Sequence, residues 1–438
     1  GNGVVATGIG TTGIITITDT TFEADAQENL YAGTGAGNAS DADTCYNVAL
    51  GLCAGYTLNS GDKNVFLGYE AGKLATSGEN NVYIGCQAGE QTTSGGNNVF
   101  LGHKAGHKTT DNSCGIAIGF YAAACRNSNT GVFIGRYAGY GCAGATGTDN
   151  VAIGNVAGKC LTTGQSNVAI GKGAGLKMTS GPDNVFIGQY TGGAGGSATT
   201  GGCNIAMGRA AGNQLTAGCY NVYFGEEAGY YNQIGLHQIF IGCGAGYRNR
   251  GDLNIFLGRG AGRGSSTPGN NSGDSNIGIG CAAGAELTTG CYNIFLGNAA
   301  GCNATNCNSN VFAGNETGRC SDGGYNVYFG YRAGKGSSTV SDNTGGHNIA
   351  AGTDAGCGLT DGDSNVFLGL NSGCLTTSGS CNVFLGSNAG KSTTTGCDNI
   401  FLGNQTGQGN TTGCYNIFFG KLTAGQTTVT GGCNIAMG

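Results

Sequence analysis

Apolar and polar positions alternate along this chain in a five-residue word: Asn, aliphatic, Ala or aromatic, aliphatic, Gly. It reads NVFLG from Asn64, NVYIG from Asn81, NVAIG from Asn167 and NIFFG from Asn416. Twenty-four copies align, from NLYAG at Asn29 to NIAMG at Asn434; 14 of the 23 intervals are 17 residues and the rest run from 16 to 22. Alternation over so short a run predicts a strand. Self-similarity at this period predicts stacked repeats instead of a globular domain built around an active site. The chain therefore divides into a short segment, 1–28, and a repeat region, 29–438. The expected fold is all-β: a parallel β-solenoid of about 24 coils. One strong hydrophobic strand and one weak small-residue strand per coil favour a flattened, two-sided β-roll. At a strand spacing of about 4.8 Å, the coils would make a rod on the order of 115 Å long.

The coil from Asn64 to Asn80 reads NVFLG-YEAG-KLATSGEN. In an extended strand Val65 and Leu67 point to one side and Phe66 to the other. The two aliphatic columns are apolar in every copy and are expected to form the inner core. The closing Gly suits a corner closed to other residues. A second corner is expected at the following small-Gly step (Ala71-Gly72, Ala88-Gly89, Ala105-Gly106), where Thr or Ser replaces Ala at Thr191, Thr317 and Ser372. Asn leads 21 of the 24 words, the exceptions being Gly115, Gly131 and Gln238. Stacked at strand spacing these amides can form a hydrogen-bonded ladder; alternatively, Asn simply tolerates a turn.

The middle residue is aromatic in 16 copies, Ala in seven and Gly once. A column facing water would carry charges, so this strand reads as buried on both faces. With the aliphatic columns taken as the core, the middle column faces outward and needs a cover. The cover expected here is another copy of the chain, three copies around an axis, with Phe66, Tyr83, Phe100, Phe133, Phe186, Phe367, Phe384, Phe401 and Phe418 at the interface. The other possible cover is the N-terminal segment or the return loop.

Composition narrows the classes. Glycine supplies 92 residues and charged residues only 10%, against roughly 25% in ordinary soluble domains. There is neither the glycine period of collagen nor a heptad. A net charge of −6 without a basic stripe argues against a nucleic-acid partner. No apolar run approaches a membrane span. The chain opens at Gly1 without an initiator Met or a signal peptide, so a processed product or a fragment is expected. Twenty-one cysteines favour an oxidising compartment. Cys357 with Cys374, and Cys397 with Cys414, are spaced 17 apart in equivalent positions, which makes them candidates for disulfide rungs between vertical neighbours. The competing reading is that Cys serves only as a small buried residue.

The word N-V-A-I-G followed by xxAG, at Asn150, Asn167 and (as NIAMG) Asn204, resembles the head repeat of trimeric autotransporter adhesins of the YadA-like kind. It also resembles the NTAIG-type repeats of phage and giant-virus fibre proteins. The resemblance covers residues 29–438. It implies a left-handed parallel β-roll assembled as a trimer and displayed on a cell or virion surface. Three features depart from the adhesin pattern: the coil is longer, the middle column is mostly aromatic, and cysteines are abundant.

Catalytic motifs are weak. AGKST at Ala389 lacks the upstream glycine of a phosphate loop, Leu385 standing in its place. GRGAGRG at Gly258 is two corners of one coil. His103 and His107 bracket a corner without an intervening Glu, and Asp and Glu form no repeating column of the calcium-binding kind. Neither a cofactor nor a metal is expected, and no enzymatic activity. Paired threonines in the return loops (Thr92-Thr93, Thr162-Thr163, Thr288-Thr289, Thr376-Thr377, Thr411-Thr412) read as loop-building, with an ice-binding face as a remote alternative. The functional expectation is a non-enzymatic structural subunit of an extracellular or virion-surface fibre. The alternative is the receptor-binding head of an adhesin or tail fibre, presenting loops such as those from Gly264 and Gly336 to a host glycan or surface protein. The last word ends at Gly438 without a cap, and GIITITDTTF from Gly13 alternates like a strand. Head-to-tail filaments, with residues 1–28 lending a strand to the next subunit, are therefore expected as well.

Overall fold

The computed structural model describes residues 25–438 except 128–129, 142–144, 267–270 and 426–427. The strand expected at Gly13–Phe22 lies outside the described residues. The repeat is a parallel β-solenoid. Its first unit, up to Asp183, carries nine strands from Leu30–Ala32 to Val168–Ile170, and its second, from Asn184, carries fifteen from Val185–Ile187 to Ile435–Met437. Each strand is three or four residues long, and within each unit consecutive strands pair in parallel with equivalent positions of the word opposite one another, as in Val65↔Val82, Phe66↔Tyr83 and Leu67↔Ile84. The long coils keep that register, with Ile255 facing Ile277 and Val327 facing Ile349.

Backbone pairing continues round the coil. Gly68 N–H donates to Leu50 O (2.9 Å), Gly72 N–H to Ala88 O (2.9 Å), Thr76 N–H to Thr93 O (2.8 Å) and Asn80 N–H to Asp62 O (3.0 Å). A thin coil leaves few backbone groups hidden from water, and those it hides are satisfied by the coil above or below. The corners need left-handed backbone. Gly72 has φ +58° and an added Cβ would sit 2.9 Å from the Phe66 ring, while a Cβ at Gly68 would sit 2.6 Å from Gly85 O. Both corners therefore close only on glycine.

The expected inside and outside are reversed. Phe66, Tyr83, Phe100, Phe186, Phe367, Phe384 and Phe401 are fully buried within a single chain, and Phe133 and Phe418 nearly so. The middle residue points inward and the two aliphatic columns point out. These nine aromatics are thus core residues and cannot be the contact surface of a partner. The physical reason is width. The Ala-Gly corner lies directly over the ring, so each strand has room to enclose its middle side chain and not its two flanking ones. The rings stack along the coil axis at centroid distances of 4.8 Å for Tyr83–Phe100, 4.7 Å for Phe384–Phe401 and 4.9 Å for Phe401–Phe418. Burial pushes the phenols of Tyr83, Tyr223 and Tyr328 well above their ordinary range, so the stack stays uncharged.

A second interior column completes the core, and it complements the first in size. It lies nine residues after the middle residue in a standard coil. Where the middle residue is small, its partner is large: Ala49 with Leu58, Ala117 with Arg126, Ala152 with Leu161, Ala169 with Met178, Ala206 with Leu215, Gly278 with Leu287, Ala350 with Leu359. Where it is aromatic the partner is small or polar: Phe66 with Ala75, Phe100 with Thr109, Phe295 with Ala304, Phe384 with Thr393. All of these second-column partners are buried. Contact is direct, since the Tyr31 hydroxyl lies 3.1 Å from Ser40 Oγ and the Arg126 guanidinium lies 4.9 Å from the Phe133 ring centroid. In the long coils Asn271 and Asn343 take the second-column place. Interiors are packed to near-crystalline density, so each coil holds one large side chain, supplied by either column.

The Asn ladder is present and does more than link amides. Asn64 Oδ1 accepts both the backbone N–H (2.9 Å) and Nδ2–H (3.1 Å) of Asn81, while Asn64 Nδ2 donates to Asn47 Oδ1 (3.0 Å) and to Gly78 O in the return leg (2.8 Å). Gln238 interrupts it in the second unit. Its backbone N–H still reaches Asn221 Oδ1 at 3.0 Å, but both polar atoms of its side chain are buried without a hydrogen-bond partner. The extra methylene carries the amide past the site. Gln238→Asn is accordingly expected to stabilise the second unit by about 1–3 kcal/mol, the cost of unsatisfied buried groups, measured as a rise in urea midpoint at unchanged slope.

Candidate functional site: the aliphatic face of the sheet

With the aromatics inside, each unit presents a flat parallel sheet face made of the two aliphatic letters of the word, which flank the middle residue. Every residue at these positions is apolar, from Leu30 and Ala32 to Ile435 and Met437. Many are substantially exposed, including Val99, Leu101 and Ile116 in the first unit and Ile205, Ile239, Ile241, Ile349, Leu368 and Ile400 in the second. Parallel sheets are ordinarily covered on both faces. The core covers one face here, and none of the described residues covers the other. Neither charge nor side-chain hydroxyl stands on it, so it can act only by excluding water against another apolar surface.

Most of the described cysteines are exposed or half-buried, while Cys307 and Cys320 are buried. No disulfide joins any two of the described cysteines, and the expected rungs Cys357–Cys374 and Cys397–Cys414 are not formed. Cys357 and Cys374 do meet in neighbouring coils, with Sγ atoms 2.9 Å apart. The hydrogen bond from the Cys357 thiol holds that of Cys374 below its ordinary value. Cys397 and Cys414 do not meet sulfur to sulfur. Cys414 Sγ instead accepts from Cys397 N–H at 3.2 Å, and Cys397 Sγ from Ser380 N–H at 3.3 Å. Both sulfurs are turned along the loop to cap the backbone of the preceding coil.

The remaining motifs resolve into repeat architecture. Gly390 of AGKST and Gly262 of GRGAGRG each lie against a core ring, where a Cβ would come within 2.4 Å of Phe384 and 2.2 Å of Phe256. Their backbone faces the core and cradles no phosphate. His103 and His107 point to different partners. His103 is exposed and stacks on Phe120 at 5.2 Å, while half-buried His107 places Nδ1 2.8 Å from Glu90 Oε2. Return-loop threonines bond within the stack, Thr162 and Thr288 donating to Thr179 O (3.1 Å) and Thr305 O (3.0 Å) of the next coil. Among the described residues, no group of three or more His, Cys, Asp and Glu is placed to hold a metal, and no helix is long and apolar enough to cross a membrane.

Sequence reasoning missed this face because all three strand residues are apolar, and a period of two then names two faces without ranking them. The size complementarity between the two interior columns is the signal that identifies the inner one. No protein-family model, curated protein or solved structure matches the chain.

Proposed function

We propose that this protein is a non-catalytic structural subunit of an extracellular or virion-surface fibre, assembled by packing the aliphatic faces of identical chains. The observation that carries this reading is the double column, mostly Val, Ile and Leu, that none of the described residues covers. In the second unit thirty side chains, all at least partly exposed and thirteen of them by more than a third, together expose on the order of 1,500 Å². The largest patch on an ordinary monomer is about 300–600 Å², and each partner in a standard interface buries about 800 Å². The fitting occupant is a second copy, because only a surface with the same coil spacing offers grooves in register with these ridges along the stack. Three copies around an axis give each face a neighbour, in keeping with the resemblance to trimeric fibre repeats. Engagement of the return-loop hydroxyls inside the stack speaks against the ice-binding alternative.

The test is the oligomeric state. Native mass spectrometry of the intact chain is expected to give a multiple of the subunit mass. The triple change Leu368→Thr, Leu385→Thr and Leu402→Thr puts β-branched, polar strand formers on the outer column. It is expected to shift the mass toward the monomer while the far-ultraviolet spectrum stays that of the parent. A monomeric mass for the unaltered chain at micromolar concentration would overturn the reading.

A further inference from the structure

A second surface of the first unit differs in chemistry from the sheet face. In most coils the positions just after the closing Gly are small or polar, but around Phe120 they gather rings and cations from consecutive coils. Phe120 meets Tyr121 at 4.7 Å and Tyr137 at 5.5 Å, both edge to face, and Tyr140 stands 5.6 Å from Tyr137, again edge to face. Three cations lie over the rings: Lys104 over Tyr121 at 5.3 Å, Arg136 over Tyr137 at 4.9 Å and Lys159 over Tyr137 at 5.4 Å. Phe120 and Arg136 are exposed, and the other members are partly so.

The local charge runs against that of the whole chain. The chain carries −6, yet residues 102–160 hold five Lys and Arg against two carboxylates. Those carboxylates are engaged on return loops, Asp111 by Ser94 (2.7 Å) and Asp149 by Thr130 (2.6 Å). None of the ion pairs among the described residues engages Lys104, Arg136 or Lys159. Tyrosine and phenylalanine with lysine and arginine, at a charge opposite to that of the surrounding protein, suit a partner that is both anionic and able to lie on aromatic surface.

We infer that this cluster is a binding platform for an acidic polysaccharide, a polymer of sugars bearing carboxylate or sulfate groups. The C–H faces of pyranose rings pack on exposed aromatic surface. Their hydroxyls exchange hydrogen bonds with tyrosine, and their anionic groups meet the guanidinium fork of Arg136 and the ammonium groups of the lysines. A linear polymer can follow residues repeated from coil to coil. Single-stranded nucleic acid fits less well, because its bases need whole ring faces to stack on. Here Tyr121 stacks on Tyr137 at 5.5 Å, His103 on Phe120 at 5.2 Å, and cations lie over Tyr121 and Tyr137, leaving part-exposed rings that suit the smaller C–H contacts of a sugar. The platform lies on the corner beyond the closing glycines, so it is independent of assembly through the sheet face. The second unit supplies an internal comparison. Tyr230, Tyr231 and Tyr247 also cluster, with Arg248 over Tyr247 at 4.9 Å, but beside Glu227, whose charge raises the Tyr247 phenol further after burial.

Calorimetric titration of the full chain with alginate, dextran sulfate, neutral dextran and poly(dT) tests the proposal. Alginate or dextran sulfate is expected to bind, weakening as salt rises, with whichever binds naming the anionic group, and neutral dextran to bind at least tenfold more weakly. Arg136→Ala with Tyr137→Ala is expected to lower the acidic-polysaccharide affinity at least tenfold. Arg136→Gln, which keeps the packing, should lower it several-fold, and Tyr247→Ala should leave it unchanged. The proposal is overturned if neither acidic polysaccharide binds, if poly(dT) binds as tightly, or if Tyr247→Ala costs as much as the Arg136 changes.

Discussion

Phe384→Ala is expected to destabilise its neighbourhood by about 3–5 kcal/mol, the usual cost of emptying a buried phenylalanine site, and Thr393→Leu in the same chain to recover about half of it. Phe384 is fully buried between Phe367 at 5.3 Å and Phe401 at 4.7 Å, so removing its ring opens a void in a continuous stack. Other coils already use the compensating arrangement, with Ala350 beside Leu359 in the same core cluster. Thr393 is a favourable place for it because its buried hydroxyl has no hydrogen-bond partner. Stacked repeats open locally, so the quantity to measure is the opening free energy of amides in Val383–Leu385 and Ile400–Leu402 by native-state hydrogen exchange. A double variant no more stable than Phe384→Ala would show that the two interior columns do not share one volume. By the same reasoning, changing Phe384, Phe401 and Phe418 together to Ser should unfold these coils, where a change at a mere interface would only separate chains.

Asn382→Ala is expected to cost a similar amount, about 3–5 kcal/mol, without creating a large cavity. Asn382 Oδ1 accepts from Asn399 N–H (3.1 Å) and Nδ2–H (3.0 Å), and Asn382 Nδ2 donates to Asn365 Oδ1 (3.0 Å) and Gly396 O (2.8 Å). Truncation removes all four bonds and leaves the buried Asn399 backbone donor with no acceptor, at about 1–3 kcal/mol for each group so orphaned. Asn382→Asp separates the two halves of the effect. The carboxylate still accepts from Asn399 but has no proton to give Asn365 or Gly396, and should be nearly as damaging. Exchange at the Asn399 amide distinguishes the variants: Ala should release it, whereas Asp should keep it slow relative to the Gly396 side. An Asn382→Ala chain that keeps the parent's exchange rates would show that the ladder carries little of the stability.

Much of this molecule is written in short-range pattern. The period places every strand, because strands Val65–Leu67 and Ile400–Leu402 are each the central letters of a word. The lead Asn and the closing Gly announce a ladder and a corner, since a side-chain amide offers two donors beside an acceptor and only Gly fits the backbone found at Gly68. Even Gln238 stands out from the alignment, although its orphaned amide becomes visible only once neighbouring coils are in place.

Other features depend on distances between segments that local sequence does not contain. Val65, Phe66 and Leu67 are all apolar, and alternation alone assigns them to two faces without saying which is enclosed. The approach of the Ala71-Gly72 corner to the Phe66 ring lets the strand enclose one of its side chains and not two, and that width turns the aromatics in and the aliphatics out. The cysteine pairs show the same limit: equal 17-residue spacing brings Cys357 and Cys374 sulfur to sulfur but turns Cys397 and Cys414 toward backbone amides, because loop direction, not vertical distance, orients each thiol. The platform around Phe120 likewise joins residues up to 55 positions apart, from Lys104 to Lys159, and exists only because stacking sets successive corners side by side. Period and corner chemistry are local properties of the chain, whereas which face is covered and which side chains meet follow from how thick the folded coil is.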